Sequence, residues 1–418
     1  MLILGRKNER NMKKFVTICV VFTWVVSFGC KQEKIIRDLP EGRKMLLEAG
    51  LAVESISVLK RAEEAEEVKA EPRALLLIAY SRALSKELAY LKSSNLETEY
   101  RKERTRRLND IKSDEIEEII QILNARKQVQ DDVIQILIDK GTPVIPIILN
   151  SFLQDRYDKA YDHFGNILTQ IGVKGLEELM SAIEAAETPT SVKVRLVRVL
   201  GAMGEAAAKE RLEAVKKTIQ DAGLEMEINV ALYQIGDKEY GKVIEEGLQN
   251  SNLVARQAAA RSVVMLDQPS TSKLINALKD EDDQVRRSVA IALQKHIDAN
   301  AVDNLVEILT NDSGGSTKQS ALNTLNHYAE NKLADGLAPR LISLLIETEI
   351  TDHTDRLRIA QLLNKPALIQ QIEAADRADR YANLPHKLYE YYRNKEDNRL
   401  VKSELTSLLI KLEETSEE

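Results

Sequence analysis

The chain has 418 residues, a formal net charge of −7, 44% hydrophobic residues and 4% aromatic ones. That charge argues against nucleic acid as a partner, because an acidic surface does not attract phosphate backbones over long range. The length exceeds what one core organises, and the scarcity of aromatic residues suits helices packed closely through Leu, Ile, Val and Ala.

Lys13 and Lys14 precede an apolar run of 14 residues, Phe15 to Phe28. A membrane-spanning helix needs about 20 such residues; the run has the length of a secretory h-region instead. Ser27-Phe28-Gly29-Cys30 closes it. The segment resembles a bacterial lipoprotein signal, which implies that residues 1–29 are removed and that Cys30 becomes the lipidated first residue. The family prefers Leu where Ser27 stands and a small residue where Phe28 stands, so an ordinary or uncleaved secretory leader is the alternative. Met12 is the expected start. The other cysteine is Cys19, and a cleaved chain would carry no free thiol and no disulfide. The expected location is the bacterial cell envelope, lipid-anchored to a membrane on its periplasmic or surface face.

Residues 30–40 read as a tether and 41–125 as an N-terminal helical region. Within it, Glu41 to Ala62 reads as two helices that break at Gly50. Gly50 to Ile56, with Leu59 and Ala62, resembles the second half of a tetratricopeptide repeat, with HEAT-type helices as the alternative. Arg73 to Leu91 is expected to supply the next helix, and 96–126 to form a long, charged one. The basic run Arg101 to Arg107 reads as a solvated helix face rather than a site for anionic lipid or nucleic acid.

An apolar quartet spaced i, i+4, i+7, i+8 recurs about every 31 residues from Val129 onward. The copies are Val129-Val133-Ile136-Leu137, Ala160-Phe164-Ile167-Leu168, Val192-Leu196-Val199-Leu200 and Leu224-Ile228-Ala231-Leu232. Weaker ones are Ala255-Ala259-Ser262-Val263, Val285-Val289-Ala292-Leu293 and Thr317-Ala321-Thr324-Leu325. This spacing makes one stripe of an α-helix, and a fixed period of such length marks stacked supersecondary units. Gly141, Gly172, Gly204 and Gly236 each stand four residues past a stripe, where a helix end wants a left-handed residue. A second striped segment follows each break, as in Leu176-Leu179-Met180-Ile183 and Leu305-Val306-Leu309. One unit is therefore helix A, a turn and helix B.

Asp282-Asp283-Gln284-Val285-Arg286-Arg287, running into Ala292-Leu293, resembles the HEAT and HEAT-like (phycobilisome-lyase-type) repeats. The residue after each first stripe position supplies the family's basic ladder at Lys193, Arg256, Arg286 and Lys318, and Glu225 breaks it. The resemblance covers roughly 126–347, with an eighth unit expected at Asp355-Ile359-Leu362-Leu363; armadillo-type units are an alternative. The expected fold is all-α, an α-solenoid of stacked antiparallel helix pairs forming a HEAT-like superhelix over 126–365. Residues 366–412 read as a helical cap and 413–418 as a disordered, acidic tail.

No motif carries catalysis, and neither a cofactor nor a metal is expected. Gly236 to Lys242 imitates the glycine-lysine core of a phosphate loop, but Val243 replaces the Ser or Thr that holds magnesium, and the segment follows a helix. His296 and His327 occupy equivalent places in adjacent repeats and lack a third ligand. No Gly-x-Ser-x-Gly elbow exists. The expected function is a scaffold that binds a protein partner. In the HEAT families the B helices line that surface, which implies Lys242, Glu245, Lys273, Asn276, Asp303 and Glu307 as partner-binding residues. Tyr389, Tyr391 and Tyr392 join them as an interface cluster, or else cap the last repeat. The alternatives are a lyase-like, cofactor-handling enzyme and a cytoplasmic adaptor with an unprocessed leader.

Overall fold

The computed structural model describes residues 52–416 apart from 65–69, 126–128, 154–159, 313, 332, 348–349, 351 and 378–382. Cys30, the leader, the tether and the first half of the tetratricopeptide-like stretch lie outside the described residues. Every regular element among the described residues is helical. The chain divides into two compact units, Met1–Met203 and Gly204–Glu418, a division that falls inside the expected repeat array.

In the first unit, α1 (Ala52–Glu64) packs on α2 (Ala70–Lys86). The segment Ala74 to Tyr80 of α2 is buried on every side, as an all-round apolar helix must be. Next come α3 (Leu88–Ser93), α4 (Glu97–Asp110) and α5 (Ser113–Ala125). Two expected helices are broken here. The run Arg73 to Leu91 divides at Glu87, whose carboxylate accepts from the backbone N–H of Ala52 at 2.7 Å and so caps α1. The charged stretch 96–126 divides at Ile111, which takes an extended conformation of φ −62° and ψ 133°. The Glu115 carboxylate then accepts from the Lys112 N–H at 3.0 Å, which fixes the entry to α5. Helix pairs follow as α6 (Gln130–Lys140) with α7 (Ile145–Leu153) and α8 (Tyr161–Ile171) with α9 (Leu176–Glu184), then α10 (Thr190–Met203).

The second unit holds α11 (Lys209–Thr218), α12 (Ala222–Ile235), α13 (Tyr240–Gly247), α14 (Leu253–Ser262), α15 (Thr271–Ala277) and α16 (Asp283–Lys295). It continues through α17 (Val302–Asn311), α18 (Gly315–Glu330), α19 (Leu337–Glu347) and α20 (His353–Leu363) to α21 (Pro366–Arg377), α22 (Leu384–Asn394) and α23 (Arg399–Ser416). One apolar core runs through this unit from Met226 to Leu412. The residues Glu413 to Ser416, expected to be disordered, continue α23; Leu412, 7% exposed, anchors this last turn.

The register of the repeat follows from burial. No member of the seven quartets is more than 5% exposed, so each stripe faces the packing between neighbouring helices. The eighth, Asp355-Ile359-Leu362-Leu363, is buried in the same way on α20. Gly141 and Gly172 both have positive φ, but with ψ of −140° and −149° rather than the expected left-handed helical pair. Only glycine enters that region readily, and it lets the chain turn straight into a short 3-10 turn ahead of the next helix. At the other end, Asp221, Asn252 and Asp282 accept from the backbone N–H three residues on, at 2.8, 3.1 and 3.0 Å, and so cap α12, α14 and α16.

Three members of the basic ladder, Arg256, Arg286 and Lys318, and Arg356 at the equivalent place on α20, join successive repeats. Arg256 donates to Asp280 at 2.8 Å and to the carbonyl of Asn250 at 2.9 Å. Arg286 donates to Asp312 at 2.5 Å and to the carbonyl of Asp280 at 2.7 Å. Lys318 reaches Asp355 at 2.6 Å, and Arg356 reaches Glu396 at 2.9 Å. Each cation thus ties its own repeat to an acid at the start of the next. Glu225, the break in the ladder, is exposed.

Candidate functional site

Four B helices, α13, α15, α17 and α19, carry or meet the residues expected to bind a partner. Several of these residues are engaged with one another. Glu245 accepts from the Ser270 N–H at 3.2 Å and pairs with Lys273 at 3.5 Å, which links α13 to α15. Asp303 pairs with Arg340 and so links α17 to α19. Glu307 accepts from Asn311 at 3.5 Å on its own helix. Lys242 and Asn276 are exposed.

The tyrosine cluster separates into inner and outer members. Tyr391 is 7% exposed and donates to the Glu396 carboxylate at 2.8 Å, so it is packing for α22 and α23 and offers no surface to a partner. Burial, then the Glu396 carboxylate, push its phenol pKa upward. Burial opposes the charge on Glu396, but Arg356, the Asn398 N–H and the Tyr391 hydroxyl outweigh it and hold this carboxyl below its usual range. Tyr389 is exposed and Tyr392 half-buried, with ring centroids 6.3 Å apart and the Lys402 ammonium 5.6 Å from the Tyr392 ring.

A groove crosses the A-helix side of the second unit. One stretch of about 730 Å³ includes Arg287, Gln294, Gln319 and Asn323. The next, of about 470 Å³, shares Gln319, Asn323 and Arg358 and adds Asn326, Gln361 and Lys365. The elements that form it are α16, α18 and α20, with Glu404 of α23 at one wall. Gln319 donates to Asn323 at 3.0 Å, Asn326 donates to Glu330 at 2.9 Å, and the Oδ1 of Asn326 is buried without a partner. Arg358 pairs with Asp355 at 3.1 Å.

The apolar stripes do not point to these residues, although a signal for them exists in the sequence. Arg287-Ile291-Gln294 and Gln319-Asn323-Asn326 repeat the i, i+4, i+7 spacing of the core on the opposite side of the same helices, and Arg358-Gln361-Lys365 follows it closely.

Most of the residues that suggest other chemistry have structural partners; the Nε2 of His296 is buried without one. Gly236 to Lys242 forms the turn from α12 to α13, where Asp237 pairs with Lys209 at 3.0 Å and Lys238 sits 4.0 Å from the Tyr233 ring. Burial, then the Lys295 ammonium, pull the His296 pKa down, and Asn331 donates to the His327 carbonyl at 2.8 Å. Among the described residues no group of three or more His, Cys, Asp or Glu could hold a metal ion. In the basic run, Arg101, Arg104, Arg106 and Arg107 pair with Glu97, Asp139, Glu103 and Glu63. No single described helix is long and apolar enough to cross a membrane.

Comparison with known proteins agrees with this architecture in one stretch. A sequence profile of the HEAT repeats matches residues 245–326 and 271–360. No curated protein sequence matches the chain. Among solved structures, Kap121p is 12% identical, with 92% of this chain covering 48% of that one at a TM-score of 0.43. Kap95p, solved in work on its binding of RanGDP, is 14% identical, with 93% and 51% covered at 0.42. Human deoxyhypusine hydroxylase, in complex with glycerol, is 14% identical, with 72% and 96% covered at 0.28. The chain spans about half the length of the two karyopherin-type chains it matches. With the stripe buried, the cations linking turn to turn and the profile matched, residues 245–360 are HEAT repeats, and the fold is an α-solenoid of stacked helix pairs.

Proposed function

We propose that this protein is a non-catalytic scaffold, held to a membrane of a bacterial cell envelope by lipid on Cys30, that captures a protein partner on its repeats. The observation that carries the binding part is the groove on α16, α18 and α20, where polar side chains of successive repeats line one continuous depression. Repeat architectures offer extended surfaces of this kind, and a row of amides and cations suits polar recognition rather than chemistry on a small substrate. The anchoring part rests on Lys13-Lys14, the apolar run and Gly29-Cys30. Stable anchoring takes more than one acyl chain.

Two measurements test this reading. Mass spectrometry of the native protein should find an acylated N-terminus at Cys30 and no residues 1–29, and Cys30→Ala should leave the protein misprocessed or released. Photo-crosslinking residues placed across the A-helix and B-helix sides in living cells should trap one discrete protein. An intact, unmodified chain in the cytosol defeats the anchoring; the absence of any trapped protein from every position defeats the scaffold.

A further inference from the structure

The chain as a whole is acidic, with a net charge of −7, yet the lining of the groove carries Arg287, Arg358 and Lys365 against the carboxylate of Glu404, with Arg358 already paired to Asp355 beneath it. That carboxylate is already engaged, accepting from Asn364 at 3.1 Å. Arg287 and Lys365 stand at opposite stretches of the groove and have no ion-pair partner among the described residues. Between them lie amides rather than further charges: Gln294, Gln319, Asn323 and Gln361. An amide side chain carries both a donor and an acceptor, so it pairs equally with the N–H or the C=O of a peptide bond. None of the lining residues is aromatic, so a nucleobase finds no face to stack on.

The spacing suits an extended chain. Packed helices lie about 8–10 Å apart, and a strand advances about 3.3 Å per residue. Amides on neighbouring helices therefore meet every third residue of a segment laid across them. Four helices, α16, α18, α20 and α23, line the groove, enough for a segment of about ten residues.

We infer that the groove between Arg287 and Lys365 binds an extended, acidic peptide segment of the partner, with amides holding the backbone and the cations reading carboxylates. This deepens the scaffold reading and rests on it. It places recognition on the A helices, away from the B-helix ion pairs Glu245–Lys273 and Asp303–Arg340.

The test uses the purified full-length chain and a displayed library of random decapeptides. Selected sequences should be enriched in Asp and Glu. A fluorescent copy of the strongest one should bind more weakly as salt rises. Arg287→Glu and Lys365→Glu should each weaken it about tenfold or more, and Gln319→Ala with Asn323→Ala should do so at every salt concentration. Lys242→Glu and Asn276→Ala should leave binding unchanged. Thermal melting of each variant must match the parent; Lys365→Met, which keeps the stem and removes the charge, replaces Lys365→Glu if that variant melts early. Selected peptides without acidic enrichment, or binding indifferent to the groove variants, overturn the inference. If in-cell crosslinking still traps a partner through B-helix positions, the scaffold reading survives and only the placement on the A helices falls.

Discussion

Arg286 and Asp312 meet at 2.5 Å, and the contact joins the turn that opens α16 to the turn that opens α18. Asp312 is the more enclosed partner, its side chain 2% exposed against 16% for Arg286. Its carboxylate also accepts from the Gly314 N–H at 2.6 Å. One acid therefore holds the turn ahead of α18 and fastens the repeat before it.

Arg286→Ala should cost about 3 kcal/mol, because it leaves an enclosed carboxylate without its cation. Chemical denaturation measures it. The double variant with Asp312→Ala should recover part of the loss, since the stranded charge is gone while the hydrogen bond to the Gly314 N–H is not restored. A double variant as unstable as the sum of the singles would show that the two residues act independently.

Glu396 gives the fold a defined acid sensitivity. Its folded pKa lies below the ordinary carboxyl value of 4.5. The stability it contributes is therefore fully present above pH about 4.5 and fades as pH falls through the lowered folded value. Thermal melting between pH 3 and 7 should show a decline at the acid end, and Glu396→Gln should lower the melting temperature at neutral pH while flattening that decline. An unchanged acid slope in the variant would assign the sensitivity to other carboxylates.

Leu200 and Leu232 are each fully buried, one in each unit. An aspartate at either site would be an unpaired charge in an apolar core and should cost several kcal/mol. Lys273→Ala removes a half-buried ion pair and Asp303→Ala an exposed one, and each should change stability by about 1 kcal/mol or less. Circular dichroism melts of the four variants separate the two classes.

Gly141 has φ of 74° and ψ of −140°. A Cβ built there meets nothing within 4 Å, so Gly141→Ala isolates backbone strain from crowding. It should destabilise by about 1–3 kcal/mol. A neutral result in denaturant titration would mean that the turn after α6 relaxes to a conformation open to all residues.

The apolar stripe was legible in the sequence because one geometric demand, burial between neighbouring helices, repeats with every unit. Even Thr317 and Thr324, which are not apolar, are fully buried in register with it. The breaks at Glu87 and Ile111 were not legible. Neither contains glycine or proline, and the Glu87 break is held by a partner 35 residues away, the Ala52 N–H. The groove was hidden for a different reason. Polar residues on an outward helix face are the ordinary case, and Gln319 and Gln361 become parts of one surface only when α18 and α20 lie side by side. Tyr391 stands beside Tyr389 and Tyr392 in sequence, whereas its place on the inner side of α22 gives it to the core.

Asp280 belongs to two repeats at once: its carboxylate receives Arg256 and its carbonyl receives Arg286, at 2.8 and 2.7 Å. The turns of the second unit are thereby linked in a line of charged, directional bonds beside the softer apolar packing of the helices. Under tension these bonds should behave as a stiff tendon. A pull on one turn should reach the next through Asp280 before the helices slide, so stretching this region with an optical trap should meet its first resistance at the ladder and, once a rung gives way, release neighbouring repeats together.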